Sequence, residues 1–195
     1  MRLPKIEFSV KNVAAALAII QGLAWTIMSF ICIIIYQAQP VFFTNPTSYM
    51  EYLGRAIYEM FILKDGTHFR GQIFTCDVFA AFMWIYFLLD IVWMGASIYR
   101  LRDNTAKAVV TWSYITLFVC FWDFFTFVLL GVDYDRCLYY SGTSWGSDVI
   151  ADEGVCANVI LPVFFIASKG FVLWIVNIVL AVIVLRTSKQ MITLN

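Results

Sequence analysis

Apolar residues gather into four long runs, roughly 13–36, 73–98, 108–132 and 159–185, with most polar and charged positions in the segments between them. A helix needs ~20 residues to cross ~30 Å of hydrocarbon. Each run is at least that long and can satisfy its own backbone hydrogen bonds in lipid. The pattern predicts an all-α fold, an integral membrane four-helix bundle forming a single domain over residues 1–195. Two connections, 37–72 and 133–158, emerge on one side of the membrane. The short connection from Tyr99 to Lys107 makes the second and third spans antiparallel neighbours.

The connections carry a different rhythm. Pro40 and Asn45-Pro46 interrupt any helix leaving the first span, and a new helix is predicted from Thr47 to Leu63. There Tyr49, Met50, Leu53, Ala56, Ile57, Met60 and Phe61 recur at helical spacing, with Glu51, Arg55 and Glu59 between them. Such a segment either lies in the outer leaflet or caps the bundle. The second connection sets Asp133, Asp135, Asp148, Asp152 and Glu153 against Arg136 and contains Gly142, Gly146 and Gly154, so it reads as an acidic, irregular loop.

Composition removes the soluble alternatives. Hydrophobic residues make up 62% of the chain and charged ones 13%, against ~45–50% and ~25% in soluble domains. The mean hydropathy is +0.82. With a net charge of zero and no basic cluster, neither nucleic-acid binding nor a polybasic lipid patch is expected. The first run is too long for the core of a cleaved signal peptide and is expected to remain as a span. Cations beside the spans set the orientation. Arg2, Lys5, Lys11, Arg100, Arg102, Lys107, Arg186 and Lys189 outnumber Arg55, Lys64, Arg70 and Arg136, which puts both termini in the cytosol and the two longer connections outside.

Charged residues within spans are expensive in lipid and mark either a structural lock or a functional path. At ~1.5 Å per residue, Asp123 and Lys169 both fall roughly 14 Å deep from the same side. An ion pair near the midplane is expected, either fixing the third and fourth spans in register or lining a proton or ion path. Asp90 lies nearer the cytosolic side, with a polar group such as Gln21 of the first span as its simplest partner; without a partner it is expected to be protonated. Asn177 is a further candidate for an interhelical hydrogen bond, typically ~0.6 kcal/mol.

Cys137 and Cys156 lie in the second exofacial loop, where the oxidising lumen favours a disulfide. Closing a loop of about 20 residues contributes on the order of 3 kcal/mol by chain entropy. The bridge is either a staple alone or the support of a recognition surface bearing Tyr139, Tyr140 and Trp145. Cys32, Cys76 and Cys120 read as small buried hydrophobes, and His68 is the only histidine, so no metal site is expected. Phosphate-loop, G-x-S-x-G and H-E-x-x-H motifs are missing, which predicts a non-enzyme without a cofactor.

Short cytosolic termini, four spans, a longer first exofacial loop, a tight cytosolic turn and a second exofacial loop with Cys137 and Cys156 form a layout that resembles small four-span junctional proteins. It is most similar to the insect Pasiflora-like tetraspans of septate junctions. The first loop has no cysteine or tryptophan, unlike that of claudins, and the second lacks the C-C-G motif of tetraspanins. The resemblance implies assembly or barrier function at lateral plasma-membrane junctions, through lateral association with membrane proteins and exofacial contacts. Two other expectations stand beside it. One is a small transporter, channel or channel accessory subunit using Asp90, Asp123 and Lys169, with conduction calling for a homo-oligomer. The other is an endolysosomal trafficking tetraspan.

Overall fold

The computed structural model describes residues 5–41, 46–66, 69, 71–103, 105–141, 153–167, 169 and 171–193, with no strand among them. Six helices follow in chain order: α1 (Lys5–Ala38), α2 (Tyr49–Phe61), α3 (Cys76–Arg102), α4 (Ala106–Ser141), α5 (Glu153–Ala167) and α6 (Val172–Thr193). Among the described residues, four stretches are long and apolar enough to cross a membrane: Asn12–Ala38, Cys76–Arg102, Ala106–Tyr139 and Asn158–Ser188. These are the four spans that the hydropathy pattern predicts. Only 22% to 33% of their most apolar windows is buried within the protein. Outward-facing Ile20, Leu88, Phe121 and Val172 therefore form a surface suited to hydrocarbon rather than water.

Two boundaries depart from the hydropathy pattern. α4 runs on to Ser141, so the start of the 133–158 connection is helix rather than irregular loop. The cause is local satisfaction of its polar residues. Asp133 is buried and accepts backbone N–H bonds from Ile73 at 2.7 Å and Phe74 at 2.8 Å, and Arg136 donates to the carbonyl of Gly71. The fourth run, in turn, is not one helix. α5 ends at Ala167 and α6 begins at Val172, and between them Lys169 and Phe171 have φ of 52° and 55°. The left-handed region costs an L-residue roughly 1–2 kcal/mol and interrupts the helical ladder. α5 is about 22 Å long and α6 about 33 Å, and the apolar stretch Asn158–Ser188 takes in residues of both.

Contacts divide the chain into two compact units. The first comprises Met1–Met28, Tyr86–Asp123 and Lys169–Asn195. Its core takes Ala14 and Ala18 from α1, Trp93 from α3, Val109, Trp112 and Val119 from α4, and Val184 from α6, so four helices pack as a bundle. A Cβ on Gly22 would meet the Asp90 carbonyl oxygen at 3.4 Å and the Met94 Cβ at 3.3 Å, which places α1 and α3 in the close approach that small residues permit. In the turn from α3 to α4, Asp103 accepts the Thr105 backbone N–H and the Tyr99 hydroxyl, each at 3.0 Å. These bonds, the Thr105 amide first, hold its carboxyl below the usual carboxylate range.

The second unit comprises Ser29–Ile85 and Phe124–Ser168. Tyr58, Met60 and Phe61 of α2 join Phe74, Leu130, Val159 and Ile160 in its core. The amphipathic face is thus covered by protein, against α5, while Tyr49 and Met50 stay exposed. Ser48 caps α2 by accepting the Glu51 N–H at 3.2 Å, and the Glu51 carboxylate accepts the Thr47 N–H at 2.7 Å and the Thr47 hydroxyl at 3.0 Å. The Thr47 bonds hold Glu51 below the usual carboxylate range. Two glutamines stitch the connection together. Gln39 donates to the carbonyls of Tyr36 and Ile62 and accepts from the Lys64 N–H, and Gln72 donates to those of Met60 and Phe74.

Candidate functional site

Three ionisable side chains meet in the first unit: Asp90 from α3, Asp123 from α4, and Lys169 from the break before α6. Lys169 Nζ lies 3.0 Å from Asp123 Oδ2 and 3.8 Å from Asp90 Oδ1. It also sits 4.7 Å from the centroid of the Trp93 ring, within cation–π range. None of the three side chains is more than 1% exposed. Neither oxygen of Asp90 receives a hydrogen bond among the described residues.

Depth along the spans predicts the pairing of Asp123 with Lys169, and the two groups are in contact. It also gives Asp90 to Gln21, and here the arrangement differs. Gln21 is engaged by Asn177, whose Nδ2 donates to Gln21 Oε1 at 2.8 Å while Gln21 Nε2 approaches Asn177 Oδ1 at 3.5 Å. Two amides complement each other as donor and acceptor. A buried ammonium, by contrast, attracts any carboxylate in reach with little screening, so Asp90 faces the lysine.

Neighbouring residues fix the carboxylate-bearing helices against each other. Trp93 of α3 donates through Nε1 to the Thr116 hydroxyl of α4 at 2.9 Å, and Trp112 of α4 donates to the Ser97 hydroxyl of α3 at 2.9 Å. Each hydroxyl in turn donates a hydrogen bond to a carbonyl one turn back: Thr116 to that of Trp112 and Ser97 to that of Trp93. The result is a reciprocal clasp, with every donor in it satisfied in a buried core. Trp174 of α6 adds a bond to the Cys120 carbonyl of α4 at 2.8 Å. Hydropathy is silent on the clasp, but its signal is present as Trp93-x-x-x-Ser97 and Trp112-x-x-x-Thr116, spaced to share one helical face. The break has a signal too, in Ser168-Lys169-Gly170 inside an apolar run.

The predicted exofacial surface is only partly within view. Cys137 is buried on α4, and Tyr139, two residues on, is 77% exposed. The side chains of Tyr140 and Cys156 lie outside the described residues, as do Trp145 and His68. Cys32, Cys76 and Cys120 are free thiols. Asp77 accepts the Tyr36 hydroxyl at 2.6 Å.

No family model, characterised protein or solved structure matches the chain. Its fold defines the class: a multi-pass integral membrane protein with four spans. Its first unit holds a buried cluster of two carboxyls and one amine.

Proposed function

We propose that this protein is a small non-enzymatic transporter or channel whose working centre is the Asp90, Asp123 and Lys169 cluster. The observation that carries the reading is burial of three ionisable side chains among apolar spans, one of them at a backbone break with positive φ. Charges in lipid-embedded segments mark ion or proton pathways. Irregular backbone at membrane depth is a feature of transport sites, and strained residues concentrate where function needs them. The test is flux of H⁺, Na⁺, K⁺ and Cl⁻ in proteoliposomes under an imposed potential. Flux above that of empty vesicles, lost in Asp90→Asn and in the double variant Asp123→Asn with Lys169→Met, is the expected result. No flux of any of the four ions from correctly folded protein would sink it.

A second reading follows from the resemblance to junctional tetraspans: lateral association in the plasma membrane, with recognition by the loop after α4. It is favoured by the exposed Tyr139 beside the buried Cys137, which stands apart from the three free thiols. The proposed Cys137–Cys156 bridge would hold Tyr139, Tyr140 and Trp145 as one surface. Replacing Cys137 with Ser should then disperse the protein from lateral contacts of a polarised epithelium. Unchanged localisation and unchanged crosslinked neighbours would count against it.

A further inference from the structure

We propose that the cluster of Asp90, Asp123 and Lys169 is a binding site for one exchangeable proton, carried on the Asp90 carboxyl. This deepens the transport reading and rests on it only for its biological use. The inference starts from charge balance. Two carboxylates and one ammonium leave one negative charge in excess, and all three groups are shut off from solvent. Lys169 stands 3.0 Å from Asp123 and 3.8 Å from Asp90, so Asp90 is the less compensated of two carboxyls whose oxygens have no hydrogen-bond donor among the described residues. An uncompensated carboxylate in such surroundings is strongly disfavoured.

The groups packed against Asp90 offer no other compensation. α3 contributes Tyr86 and the Trp93 ring under the lysine. α4 contributes Asp123 and the neighbouring Cys120 thiol. α1 contributes Gly22, against the Asp90 backbone, and has no titratable residue between 12 and 28; α6 has none between 172 and 185. A metal cation would need several oxygen ligands, and Lys169 repels it at this distance. Protonation of the Asp90 carboxylate by a hydronium ion forms one O–H bond on the carboxyl, breaks one in the hydronium, which leaves as water, and cancels the excess charge. Release returns the carboxylate, which then competes with Asp123 for the Lys169 ammonium.

The experiment is infrared spectroscopy of the full-length protein in lipid nanodiscs at neutral pH, following the carboxylic-acid C=O band and its shift in D₂O. The wild type should show one acid band per chain. Asp90→Asn and Asp123→Asn should each reduce it to background, because either leaves one carboxylate for one ammonium. Lys169→Met should double it. Asp133→Asn controls for the other buried carboxyl and should leave the band unchanged. A wild type without an acid band, or a band that survives Asp90→Asn or Asp123→Asn, would overturn the proposal. The Asn variants are near-isosteric and decide the matter even if Lys169→Met fails to fold. A proton band with no flux in proteoliposomes leaves the site standing and removes the transport reading. Na⁺ flux without a band overturns the proton site and leaves the transport reading standing.

Discussion

Asp133 shows how much one side chain can settle. Its carboxylate accepts the N–H groups of Ile73 and Phe74, 60 and 59 positions away in sequence, and so ends the 37–72 connection where α3 is about to begin. Replacing it with Ala would strand two backbone donors, each costing ~1–3 kcal/mol when buried. Asp133→Ala should therefore destabilise the protein by on the order of 2 kcal/mol or more. Unfolding of the purified protein in mixed micelles would measure this, and an unchanged midpoint would mean that water reaches those amides. The residue was legible in the sequence only as one acid among several in a glycine-containing segment. Composition registers charge but not which distant backbone donors the charge will serve. Asp90 was misassigned for a related reason, since depth along a helix fixes height and leaves the facing direction open.

Elements were the most legible level. Four apolar runs gave four spans because the requirement for internal hydrogen bonding in lipid acts on every window alike, and the alternation at 49–61 gave α2. The break between α5 and α6 escaped because hydropathy summed over a window is blind to φ, and a single lysine barely lowers the sum. α2 offers a test at this scale through Glu51. Its folded-state pKa lies below the ordinary value, owing first to the Thr47 backbone bond. Its contribution is therefore fully present above the unfolded pKa and is lost as pH falls through the lower folded one. Amide exchange at Thr47 and Glu51 should accelerate over that acidic window while exchange in the core of α4 stays constant. Equal protection on both sides of the window would show that Ser48 alone sustains the cap.

For the whole molecule, the testable expectation is orientation. The cation excess on the terminal arms and the 99–107 turn predicts that Cys residues introduced at Met1 or Asn195 react with membrane-impermeant reagents only after cells are opened. One introduced at Tyr139 should react on intact cells. Labelling in the reverse pattern would invert the assignment of inside and outside. The clasp of Trp93, Thr116, Trp112 and Ser97 has a consequence for the order of synthesis. Chains emerge amino terminus first, at ~5–20 residues per second, so the hairpin of α3 and α4, and with it Asp90 and Asp123, is made before Lys169 exists. For several seconds the nascent protein holds two acids in a closed helical pair with no cation to answer them. A chain arrested just before residue 169 would thus carry both acids without their lysine, and should depend more on assistance from the insertion machinery than the finished chain does.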